Sequence, residues 1–162
     1  MKNLSFTLLI IFCFCYGCKL ESKEENVLVI NLNTISEIEQ KDFLKMNLDK
    51  NHPNLLNPDI SNLDFEIVVE SWTKLHSDLY HFLKDHNFKW NSKKENIKIF
   101  NKIYFTKKGK IKVYAFKILE DISEDKIIEY EKLVNEFANN AKINVKRDSD
   151  FAQCGKASLP NL

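Results

Sequence analysis

Glycine is nearly missing from this 162-residue chain, standing only at positions 17, 109 and 155. No glycine-rich loop is therefore available to cradle a phosphate at a helix N-terminus, which excludes the common nucleotide-binding loops. Proline is equally scarce, at three residues, while 44% of the chain is hydrophobic and 12% aromatic. That combination builds a packed core and not a disordered segment. Cysteine occurs at 13, 15, 18 and 154, so only Cys154 stands in the body of the chain. A charge excess is missing too: the formal net charge is +1, which implies no global polyanion or polycation partner. No serine-hydrolase elbow, P-loop or paired catalytic carboxylate signature is present.

What the chain does have is a distinctive start. Lys2 is followed by an apolar run from Phe6 to Tyr16 broken only by Thr7, then by Gly17-Cys18-Lys19. A cation, a short greasy core and a small residue before a cysteine have the order of a secretory signal peptide. Leu4 to Gly17 is too short for a membrane span, which needs roughly 17–25 residues. The Gly17-Cys18 junction resembles the lipobox of bacterial lipoproteins, with Cys15 standing where leucine is commonest and Tyr16 where a small residue usually sits. The resemblance implies that Cys18 takes a diacylglycerol and becomes the first mature residue. It places the protein in the bacterial cell envelope, anchored by lipid, with the outer membrane as the expected membrane. Residues 1–17 are expected to be the signal peptide, 18–26 the lipid anchor and polar tether, and 27–162 one domain. The tether, Lys19 to Asn26, is a solvated spacer similar to the acidic stretches after the lipid cysteine in lipoproteins of the Bacteroidota. Removing Lys2 with the signal leaves 23 basic against 23 acidic residues. With Cys13 and Cys15 removed and Cys18 acylated, Cys154 has no partner for an intramolecular disulfide.

The folded part opens with Val27 to Leu32, short, apolar and β-branched, as a buried strand. Ser36 to Leu48 reads as a short helix, and Asn51 to Pro58, with two prolines and three asparagines, as a loop. Ser61-Asn62-Leu63-Asp64 has the form of a capping box. Phe65, Val68, Trp72, Leu75, Leu79, Phe82 and His86 then recur at steps of three and four, which predicts a helix over 62–87 with one core-facing stripe. Ile97 to Thr106 and Lys110 to Leu119 flank Lys107-Lys108-Gly109 as a hairpin, glycine supplying the positive-φ position. Alternation puts Ile97, Ile99, Ile103 and Phe105 on one face, and Ile111, Val113, Ala115 and Leu119 on one face of the second strand. Ser123, with Glu124 and Asp125 behind it, starts a helix whose stripe is Ile127, Tyr130, Val134, Phe137, Ala138 and Ala141. Ile143 to Lys146 is expected as a last short strand before a tail.

The fold class is therefore α+β: a small antiparallel sheet with helices on one face, in the order α-β-β-α-β from residue 62. That order, with Tyr104-Phe105-Thr106-Lys107-Lys108-Gly109-Lys110-Ile111 at its centre, resembles the C-terminal domain of TonB-type proteins over 62–147. The family's Trp-x-Pro near the closing strand, its transmembrane helix and its proline-rich spacer do not occur here. The resemblance implies a fold and an exposed sheet edge, not energy transduction.

His76, His81 and His86 are five residues apart, so neighbours sit about 140° apart around a helix and do not converge on a metal; no metal or cofactor is expected. Cys154 lacks the local signature of an activated nucleophile and reads as a small buried hydrophobe. Lys93 to Lys117 holds nine lysines against Glu95 alone. Lys98, Phe100, Lys102 and Tyr104 share one strand face, and Lys112, Tyr114 and Phe116 share one across the turn. Such interleaving binds polyanions, making Lys98, Lys102, Lys107, Lys108, Lys110 and Lys112 candidate contacts; lysines on a solvated face also guard sheet edges. Export argues for anionic glycans or headgroups and against nucleic acid.

The function expected is that of a non-catalytic envelope lipoprotein that binds or braces. An alternative is a TonB-like accessory domain that takes a protein partner by sheet-edge addition, and a third is an envelope hydrolase. An unpaired edge favours the second; a deep cleft lined by His76, Asp78 or Cys154 favours the third.

Overall fold

β-branched and apolar residues after the tether form the first strand, β1 (Leu28–Asn31), in a computed structural model that describes residues 26–162. The expected signal and Cys18 lie outside the described residues. Two short helices follow, α1 (Glu37–Lys45) and α2 (Leu48–Asn51). A capping box starts α1: Ser36 Oγ accepts from the Glu39 N–H at 3.3 Å, and Glu39 Oε2 accepts from the Ser36 N–H at 3.0 Å. The box expected at Ser61 does not form. Ser61 is buried, and the long helix α3 (Phe65–Asp85) starts after Asp64, which makes no side-chain cap bond.

The hairpin strands are β2 (Asn96–Phe105) and β3 (Ile111–Ile118), followed by α4 (Glu124–Asn140) behind Ser123. Gly109 sits between the strands at φ +81°. A Cβ there would run into the Ile143 carbonyl, because the segment after α4 straps the turn. The Ile143 N–H donates to the Gly109 carbonyl and the Arg147 N–H to the Lys107 carbonyl, each at 3.0 Å. Ile143 to Lys146 is thus a strap and not the expected strand. The last strand is β4 (Phe151–Pro160), inside the segment expected as a tail.

The class is α+β, with the four strands in the order β1-β3-β2-β4. β2 pairs antiparallel with β3 and β4. β1 pairs parallel with β3, so the sheet is mixed and not wholly antiparallel. Both hairpin strands are interior, and the edges are β1 and β4.

Helices cover both faces, which corrects the one-sided arrangement. α3 and α4 pack on one face through Leu75, Leu79, Leu83, Tyr130 and Val134 against Ile97, Ile99, Ile103, Phe105, Tyr114 and Phe116. α1 and α2 bring Phe43 and Leu48 to a smaller cluster of Ile30, Tyr104, Val113, Ala115 and Ala152 on the other.

Alternation along β3 fails at one point. Tyr104 faces Val113 while Phe105 faces Ile111, so Lys112 is the extra residue of a β-bulge and inverts the pattern beyond it. Tyr114 and Phe116 therefore point into the main core, fully buried, and Val113 and Ala115 face α1 and α2. The expected basic–aromatic face on β3 does not exist. Leu119 is exposed.

Candidate functional site

The site is built around β4, whose backbone alternates between its neighbour and the open edge. On the outer side, Ala152 donates to the Pro53 carbonyl at 2.9 Å and accepts from the Leu55 N–H at 2.8 Å; the Cys154 N–H donates to Asn54 Oδ1 at 3.0 Å. Even-numbered residues thus turn their backbone groups outward. The register with β2 runs unbroken from Phe105–Phe151 to Asn96–Pro160, so Lys156 and Ser158 also turn N–H and C=O outward. The Asn161 N–H, at an odd position, turns inward to the Glu95 carbonyl at 2.8 Å. No described residue pairs with the outward groups of Lys156 and Ser158. The first half of the edge is covered by 53–55 and the second half is open.

Next to the open half, α3 stands back from the strand. Trp72, Thr73, His76, Ser77 and Tyr80 form one wall of a groove of about 420 Å³, and residues 156–160 form the other. In that wall the His76 ring has both nitrogens bonded, while Oδ1 of Asn101 behind it has no partner among the described residues. His76 Nδ1 donates to the Trp72 carbonyl at 2.8 Å and Nε2 accepts from Asn101 Nδ2 at 3.0 Å. Burial pulls the imidazole down to about pKa 4, the Trp72 bond acting the other way, so at neutral pH the ring is uncharged. Gly155 opposes Asn101, and the Trp72 ring passes 3.5 Å from where a Cβ would stand. The helix and strand approach closely there.

The face away from α3 is basic beside this same open half. Phe100 lies opposite Lys117 on β3 and Lys156 on β4, with Lys98 and Lys102 two residues away along its own strand. Four lysines therefore frame one half-buried ring. Lys102 Nζ bonds Asp49 at 2.6 Å. The ion pairs found among the described residues do not engage Lys98, Lys117 or Lys156.

The six candidate lysines separate into two groups. Lys98 and Lys102 lie on this face. Lys107, Lys108, Lys110 and Lys112 lie at the opposite end of the hairpin, around the turn, where Lys112 Nζ holds Asp150 at 3.0 Å and the Lys107 N–H donates to the same carboxylate at 2.8 Å. Burial opposes ionisation of Asp150, but these contacts outweigh it and leave its pKa lowered. Lys117 and Lys156 complete the sheet-face group and were not among the candidates. Parity along β2 points to their neighbours Lys98 and Phe100, but Lys117 needs the bulge and Lys156 needs β4 to be seen.

The other candidates do not assemble. Cys154 pairs with Lys102 across the strands and shares its face with Asp49 and Tyr104, while His76 lies on the α3 side of the sheet. Burial raises the Cys154 thiol pKa, against its use as a thiolate. His86, expected on the core stripe, is exposed; its Nδ1 donates to the Phe82 carbonyl at 2.8 Å and its Nε2 lies 3.5 Å from Glu136 on α4. His81 is exposed and stacks edge-on with Tyr80. Asp78 ion-pairs with Lys74 at 2.7 Å and lines a separate groove under 142–145.

Among the described residues no helix is long and apolar enough to cross a membrane, and no cluster of histidine, cysteine, aspartate and glutamate could hold a metal. The chain matches no family model, no curated protein and no solved structure.

Proposed function

We propose that the protein is a non-catalytic envelope lipoprotein, anchored by a lipid on Cys18, whose domain binds an extended segment of a partner protein along the open half of β4. The observation that carries the binding reading is the pair Lys156 and Ser158, whose outward N–H and C=O groups border a groove walled by Trp72, His76 and Tyr80. An extended segment laid there gains main-chain hydrogen bonds from the edge and side-chain contacts from the groove. The same edge already accepts one such segment from its own chain at 53–55. This is the mode that the TonB-type resemblance implies, and it needs no energy transduction.

A non-catalytic reading is supported by the histidine in the groove, whose two ring nitrogens are both occupied, and by the placement of Cys154 on the other face. The anchor reading rests on the Gly17-Cys18 junction behind a signal-length apolar core.

Two experiments test the parts separately. Cys18→Ala should leave the precursor uncut and unlabelled by a fatty-acid probe; normal labelling ends the lipoprotein reading. For the domain, a photo-crosslinker at residue 158 in the native envelope should capture a protein, and the same probe at residue 57, on the exposed far side of the covering loop, should not. Equal capture at both positions ends the edge reading.

A further inference from the structure

The lysine face and the groove meet at the open half of β4, and a strand added there would touch both. Side chains of neighbouring strands that stand opposite one another share a face. The residue opposite Lys156 would therefore lie on the lysine face, and so would the residue opposite Ser158. Lys156 would meet the first directly. Ser158 pairs with Lys98 on β2, and serine is short, so the Lys98 stem can pass over it and bring its ammonium to the second. The residues between them would face Ala157, Leu159 and the α3 wall, where Trp72 and Tyr80 supply apolar surface. Resting on the edge-addition reading, we infer that the segment this edge selects is acidic and apolar in strict alternation: carboxylates two residues apart towards Lys156 and Lys98, apolar side chains between them towards the groove.

Three features support this occupant over others. The lysines nearest the edge, Lys98 and Lys156, are exposed and hold no described carboxylate, whereas Lys102, farther along, is taken by Asp49. The charge lies on one side of the edge and the apolar wall on the other, which matches the period of two of a strand. A flexible anionic glycan or a headgroup would use the lysines but would leave both the groove and the outward backbone groups unused.

The test uses the full chain in a zwitterionic detergent and four labelled, end-capped octapeptides. One alternates glutamate and valine, the second has glutamine for each glutamate, the third has lysine, and the fourth has the first peptide's composition with its glutamates in one block and its valines in another. Binding is read by anisotropy, and its site by amide exchange at Lys156 and Ser158. The alternating acidic peptide should bind, weaken with salt, and slow exchange at both amides. The glutamine peptide should bind about tenfold more weakly, as expected for two exposed ion pairs of about 0.7 kcal/mol each. Lys98→Glu with Lys156→Glu should reverse the order in favour of the lysine peptide. Ser158→Pro should abolish binding while leaving the circular-dichroism melt in place.

Equal binding of the glutamine and glutamate peptides, still lost in Ser158→Pro, overturns the charge inference and leaves the edge reading standing. Binding that survives Ser158→Pro overturns the edge reading itself. Equal binding of the blocked and alternating peptides makes the face a general polyanion patch and ends the inference. Failure of all four peptides to bind at millimolar concentration also ends it.

Discussion

The two halves of β4 are alike towards the core and opposite towards the edge. Phe151 stacks on Phe105 at 5.2 Å and Leu159 is buried beside Ile97, so each end contributes an apolar anchor. At the edge, the first half is bonded by Pro53, Asn54 and Leu55 and backed by α2, whose Asp49 takes Tyr104 Oη at 2.8 Å and Lys102. Among the described residues the second half has neither a bonded neighbour nor a covering helix on its basic face. An open edge invites unwanted pairing, and proteins blunt such edges with lysine. On the proposed reading lysine there would select as well as protect, because it repels cationic strands and admits acidic ones.

The other edge makes the contrast sharper. β1 is four residues long, and its ends are tied: the Val27 N–H donates to Asn139 Oδ1 at 2.9 Å, and the Asn31 carbonyl accepts from Thr34 and Ile35. Little of that edge is left to pair. Among the described residues the open stretch of β1 is thus shorter than that of β4, although a groove lined by Leu28 to Asn31 and by Phe43 of α1 borders it too.

The largest expected effects should fail to distinguish the halves. Phe151→Ala should cost about 3–5 kcal/mol and Leu159→Ala about 2–5 kcal/mol, measured by urea unfolding. A negligible loss for Leu159→Ala would show that the second half is not held by the core at all. Next comes acid. His76 has its folded pKa depressed to about 4, below an unfolded value near 6.5. The unfolded chain thus binds the proton first, and stability should fall as pH drops from about 6.5 to about 4, by about 3 kcal/mol through this group. His76→Gln should flatten that part of the pH profile. An unchanged profile would mean that the groove floor opens to water.

Much of the fold is legible in the sequence, and the places where it is not are informative. α4 follows its predicted stripe from Ile127 to Ala138, because amphipathic period and helix propensity agree there. β4 carries no β-branched residue and contains Gly155 and Pro160; it is a strand because β2 offers it a ten-residue ladder, which is tertiary context overriding local propensity. The bulge at Lys112 is equally silent, since one extra residue leaves apolar side chains on both parities of β3. His86 leaves the core stripe expected of it and His76 is buried, because the buried side of α3 runs through His76 and Leu83 and not through Phe82 and His86. For the candidate site, Lys98 and Lys102 were visible as members of an alternating strand, but the groove and Lys156 depend on the strand that propensity hides.

The smallest effects should separate the halves most cleanly, because they act on the edge and not on the core. Proline removes one N–H and is tolerated on an edge strand where that N–H faces solvent. At Ala152 the N–H is bonded to the Pro53 carbonyl, so Ala152→Pro should cost about 1–3 kcal/mol by orphaning that acceptor. Asn54→Ala should fall in the lower part of that range, since Asn54 Oδ1 accepts from both Cys154 and Leu56. At Ser158 the N–H has no described partner, and the inward bonds to β2 are carried by Ala157 and Leu159. Ser158→Pro should therefore change stability by about 0.5 kcal/mol or less. A loss at Ser158 as large as at Ala152 would mean that the second half is already paired within the folded protein, and the groove beside it would then be a packing feature and not a place for a partner.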